Sequence, residues 1–151
     1  MVDREALLLG LVPPLACLLL AVSVRVPGSV QVPAAVVLLL AGAAGGYVAG
    51  TFAGGSRRRR VRHGFLSGGV AGLLFGGTLA YAIHESAAPR ETLYWWLHYA
   101  VATSTPPDVV AAYGYYVLAG VGAAAALAYA AGGAVAAAAT KTAGSRGIRY
   151  S

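Results

Sequence analysis

Charge is scarce in this sequence and missing from most of its length: Asp, Glu, Lys and Arg make up 11% of 151 residues, and only five are acidic. The intervals 6–24, 30–55, 64–83 and 109–140 contain none of the four. Soluble domains carry roughly 25% charged residues, so an ordinary water-exposed fold is excluded. The single cysteine, Cys17, rules out an internal disulfide and any cysteine-based metal centre. It reads as a small apolar packing residue. Nucleotide-binding motifs and nucleophile constellations are also missing, and the uncharged stretches offer only Ser, Thr and Tyr as reactive side chains. No enzyme, cofactor or metal is expected. Coupled transporters and proton relays place ionisable residues within their spans, so those classes are disfavoured too.

What is present is apolar: 58% of the residues, with a mean hydropathy of +0.70. A helix needs about 20 apolar residues to cross a hydrocarbon layer of roughly 30 Å. The pattern predicts an all-α integral membrane domain covering 1–151, with four transmembrane helices at about 6–24, 30–55, 64–83 and 109–135. Arg25, Pro27 and Gly28 turn the chain after the first helix, and 56–63 separates the second from the third. Short connections make neighbouring helices antiparallel. Pro106-Pro107-Asp108 reads as the start of the last span, with Asp108 its expected N-cap. The first stretch reads as a retained helix kinked at Pro13-Pro14. Its acidic Met1–Glu5 leader and lack of an Ala-x-Ala site argue against a cleaved signal.

Basic residues orient the spans, because cytoplasmic loops retain Lys and Arg. Four spans put nine on one side, namely Arg4, Arg57, Arg58, Arg59, Arg60, Arg62, Lys141, Arg146 and Arg149, against Arg25 and Arg90 on the other. Both termini and the arginine cluster are therefore expected in the cytoplasm, with 141–151 a cytoplasmic tail.

Glycine supplies the most regular pattern. Gly42, Gly46, Gly50 and Gly54 recur every four residues in the second span, and Gly64, Gly68, Gly72 and Gly76 do so in the third. Each set lies along one helix face. Lipid tails are as apolar as leucine, so membrane helices associate by close packing, and small residues at this spacing admit it. The economical inference is a central glycine-ladder hairpin, the two ladders facing each other with Gly50 near the level of Gly68. Ladders serving as a homo-oligomer interface are the competing reading.

The stretch Gly45-Gly46-Tyr47-Val48-Ala49-Gly50, a basic turn, and then His63-Gly64-Phe65-Leu66-Ser67-Gly68-Gly69-Val70-Ala71-Gly72 resembles the glycine-studded hairpin of small four-span membrane proteins of unknown function from halophilic archaea. The likeness covers roughly residues 30–83. It implies architecture and carries no activity.

Aromatic residues cluster between the third and fourth spans. Tyr94, Trp95, Trp96 and Tyr99 fall within 92–102, which predicts an outer interfacial helix anchored at headgroup level. Tyr113, Tyr115 and Tyr116 extend the belt. His84, Glu85 and His98 share that side but lack a helical metal-binding spacing, and His63 on the opposite side is expected to face water or headgroups. Arg57, Arg58, Arg59, Arg60 and Arg62 fix topology and offer contact to anionic lipid, whereas nucleic acid would need a folded basic surface. The expected partners are the lipid bilayer and a homo-oligomer or larger membrane complex, with no nucleic acid. The functional reading is a non-catalytic accessory or membrane-organising component. The alternative is an oligomeric channel or transporter component for a small neutral solute.

Overall fold

The structure, a computed structural model, describes residues 3–85 and 89–140. The tail 141–151, with Lys141, Arg146 and Arg149, lies outside the described residues. Among the described residues there are five helices: α1 (Arg4–Ser23), α2 (Gly28–Ala53), α3 (Arg57–His84), α4 (Leu93–Ser104) and α5 (Pro107–Ala139). All but α4 are long and apolar enough to cross a membrane.

Local chemistry sets the boundaries. The Asp3 carboxylate accepts from the Ala6 N–H and caps α1, which runs unbroken through Pro13 and Pro14. Helix α2 stops at Gly54, whose φ of +55° a side chain would oppose, and Gly55 follows at +71°. Ser56 then caps α3 by accepting from the Arg59 N–H. The arginine cluster is therefore helical, not a loop: arginine is a good helix former and follows a serine cap directly. The α2–α3 connection shrinks to Gly54-Gly55-Ser56. At α5 the cap position belongs to Pro106, and Asp108 sits in the first turn, two residues too far along to be the N-cap.

Helices α2 and α3 form a central antiparallel pair that contacts both other spans, while α1 and α5 do not meet. Helix α4 lies over α1, α2 and α3 at one end. The interior is made of alanine and glycine around a few larger groups, Leu38, Phe75, Leu79, Tyr94 and Tyr129. Large aliphatic side chains are outside, with Leu8, Leu73, Leu127 and Val135 between 65% and 72% exposed. Water selects the opposite arrangement. Small inside and large outside is what a hydrocarbon solvent permits, because burying leucine gains nothing when the surroundings are equally apolar.

Candidate functional site

The two glycine ladders do not face each other. Both open onto one groove, and α5 fills it. A Cβ built on Gly42 would lie 2.8 Å from the Tyr129 Cα, and one on Gly50 would lie 2.8 Å from the Ala137 Cα. On α3, a Cβ at Gly72 would lie 2.6 Å from the Ala126 Cα, and one at Gly76 2.7 Å from the Gly122 Cα. At Gly46, Gly64 and Gly68 it would strike the backbone of Gly133 or Tyr129. Gly54 takes no part, having nothing within 4 Å; it is the turn glycine.

The register follows from the helical arginines. With Arg57–His63 inside α3, the hairpin folds at Gly55, midway between Gly46 and Gly64 and also between Gly42 and Gly68. Gly46 and Gly64 accordingly meet the same residue, Gly133, and Gly42 and Gly68 both meet Tyr129. Gly50 shares Ala137 with Gly64, so it does not sit level with Gly68. Helix α5 runs parallel to α2 and antiparallel to α3, which is the order four successive crossings require.

Tyr129 is the large group in this seam. It is 1% exposed, its hydroxyl donates to the Leu38 carbonyl, and its ring stacks on Phe75 at 5.5 Å. No spacing rule singled it out, although it is the one aromatic residue in the alanine-rich stretch 121–139. On the other side of the hairpin, α1 approaches through Gly10, where a Cβ would lie 2.5 Å from Ser67 Oγ and 2.6 Å from Ala49 Cβ.

At the aromatic end, Tyr94 is a core residue and not a surface anchor: it is 1% exposed and meets Phe75 edge to face at 5.8 Å. Its hydroxyl donates to the Phe75 carbonyl at 3.2 Å and shares a 2.7 Å bond with Thr78 Oγ1. Burial pushes this phenol up to about 12, against the opposing Thr78 bond, so it stays neutral. The Thr92 cap sets the inward aim of Tyr94, since Leu93 and Tyr94 open the first turn of α4 toward the bundle. Trp95 and Trp96 are half-buried and Tyr99 is exposed, with Trp95 and Tyr99 stacked at 5.7 Å. The Val26 N–H donates to the Glu91 carbonyl at 2.8 Å, and Arg25 lies 3.7 Å from the Glu91 carboxylate, fastening the α1–α2 turn to the start of α4. His84 lies 3.6 Å from Glu85 and against Tyr115. Among the described residues, no three His, Cys, Asp or Glu converge on a metal position.

At the basic end His63 is fully buried, not solvated. Its Nε2 accepts from the Asp3 N–H at 2.9 Å, which puts the proton on Nδ1, and Nδ1 donates to the Arg59 carbonyl at 2.8 Å. Asp3 also approaches Arg59 at 3.8 Å across a half-exposed gap, a contact of little energetic weight. Arg60 donates to the Gly55 carbonyl at 2.7 Å, and Arg57 faces Ala134 and Ala138 of α5 in a hollow that Arg58 also borders. Arg58, Arg59 and Arg62 turn toward Arg4. Comparison with protein-family models, with curated proteins and with solved structures finds no match to this chain.

Proposed function

We propose that this protein is a non-catalytic, multi-pass component of the cell membrane that organises or accompanies other membrane constituents, its bundle held by a glycine zipper. The observation that supports this most is the α2–α3–α5 seam, where backbone lies on backbone along four turns and fills the centre with protein. A solute path would have to run elsewhere. The ladders are occupied by α5 of the same chain, so an oligomeric pore built on them loses its surface. The arginine end and both termini are cytoplasmic in this reading, and α4 rests at the outer interface with Trp95, Trp96 and Tyr99 at headgroup level.

Cysteine labelling in a Cys17→Ser background tests the sidedness. Arg57→Cys is expected to react from the cytoplasm and Arg90→Cys from outside, and labelling of both from one face would end the four-span topology. Recovery as a monomer without companions would count against the accessory role.

A further inference from the structure

We propose that the seam between α1 and α3 at the basic end binds one anionic phospholipid, headgroup over arginine and one hydrocarbon chain in the groove beneath. This rests on the membrane placement above, with the basic end at a leaflet surface.

The upper part is a cavity of about 880 Å³ between the starts of α1 and α3. Arg4, Arg58, Arg59 and Arg62 line it against two carboxylates, Asp3 and Glu5. Asp3 is already engaged, capping α1 and approaching Arg59. Arg58 and Arg62 are one helical turn apart on the same face, where like charges repel unless an anion lies between them. Among the described residues, neither pairs with a carboxylate. Two helix N-termini also converge here, and the N–H groups of Arg4, Glu5, Arg57 and Arg58 have no partner within their helices. Such N–H groups and guanidinium forks suit phosphate oxygens.

The lower part makes the ligand a lipid. A groove of about 290 Å³ continues from Arg4 down the lipid-facing seam, walled by Leu7, Leu8 and Leu11 of α1 and by Leu66 and Val70 of α3. Arg4 lines both cavities, so the charged pocket and the apolar one are neighbours along the same seam. Ser67 also lines the groove; it is 1% exposed, and its Oγ has no hydrogen-bond partner. A buried hydroxyl without a partner is costly. Ser67 Oγ lies against Gly10 of α1, so this residue closes the inner wall of the groove, about one and a half turns deeper than Arg62. A free phosphate does not explain the groove.

The test uses the full chain in neutral detergent, counting bound lipid by native mass spectrometry during titration with phosphatidic acid, phosphatidylcholine of the same chains, or inorganic phosphate. Phosphatidic acid is expected to be retained, phosphatidylcholine to be lost, and inorganic phosphate not to displace the lipid. Arg58→Gln with Arg62→Gln should weaken retention by roughly thirty-fold, from the contribution of each basic residue near an anionic lipid. Arg57→Gln removes the same charge from outside the cavity and should leave retention nearly unchanged. Val70→Trp fills the groove with every arginine kept, and should weaken phosphatidic acid alone; if it does not fold, Leu8→Trp fills the groove from α1. Equal losses from Arg57→Gln and Arg58→Gln would reduce the site to diffuse charge and overturn the proposal. So would an unaffected groove-filling variant, or full competition by inorganic phosphate. Loss of the parent protein from the membrane fraction would speak against the membrane placement itself, which separates the two failures.

Discussion

Helix α5 contains two regions built on opposite rules. Its second part, from about Val121 to Ala139, carries small residues, and Ala125, Tyr129, Ala130, Gly133 and Ala137 are buried in the glycine groove. Its first part carries Tyr113, Tyr115 and Tyr116 at 59%, 76% and 78% exposure. The backbone leaves helical geometry at Tyr113 (φ −135°, ψ 20°), within this first part. Thirty-three residues reach about 50 Å, more than a hydrocarbon layer needs, so part of the helix must serve another surrounding. The comparison teaches that side-chain size records the neighbour: in the packed part glycine and alanine mark contact with backbone and one tyrosine, Tyr129, fills the space left, while the tyrosines of the first part turn outward.

The widest separation between the two regions is expected from leucine scanning. Gly133→Leu or Gly46→Leu places a branched side chain where backbone already stands, and should cost about 3 kcal/mol or more, read as detergent-resistant helical structure lost on heating or in denaturant. Gly120→Leu, in the first part of α5 where an added Cβ would have nothing within 4 Å, should be tolerated. Equal losses at Gly120 and Gly133 would erase the distinction. Gly68→Ala comes next: its methyl would meet the Tyr129 carbonyl, and relief requires α5 to move.

Tyr129→Phe sharpens the comparison inside the packed half. It keeps the Phe75 stack and removes only the hydroxyl given to the Leu38 carbonyl, so about 1 kcal/mol should be lost. Tyr116→Phe in the exposed half should change stability by less than about 0.5 kcal/mol. A larger effect at Tyr116 would mean that the overhang packs on something in the native assembly.

The spans and the ladders were legible in the sequence, because uncharged length and fourfold glycine spacing are local properties. The ladders' partner was not. The register depends on where the hairpin folds, and that depends on whether Arg57–His63 is helix or loop. Ser56 ahead of a run of good helix formers was the available signal, outweighed by the habit of placing charge in loops. The fourth span concealed its own small-residue face at Gly122, Ala126, Gly133 and Ala137, since almost every position around them is also alanine or glycine. Tyr94 and Tyr99 belong to one aromatic cluster, and composition cannot tell the buried member from the exposed one. Only the Thr92 cap, which fixes the start of α4, decides between them. His63 followed the same logic: once the arginines are helical, its ring turns inward toward the start of α1.

The smallest expected effect has the opposite sign from the others and comes from two adjacent glycines. Gly76 faces the seam, and a methyl there would lie 2.7 Å from the Gly122 Cα; Gly77, the next residue, has nothing within 4 Å. Replacing glycine by alanine in an unobstructed helix removes backbone freedom from the unfolded chain and gains about 0.4–1 kcal/mol. Gly77→Ala should therefore raise the unfolding midpoint slightly, whereas Gly76→Ala should lower it, with both variants keeping the parent's helical content. The pair shares composition, depth and neighbours along the chain, so a difference in sign isolates which face α5 occupies. If both substitutions stabilise, α5 does not press on Gly76 and the groove is looser than its backbone spacing indicates. If both destabilise, the Gly77 face is covered by something outside this chain, and the lipid-facing side of α3 becomes the place to look for a protein partner.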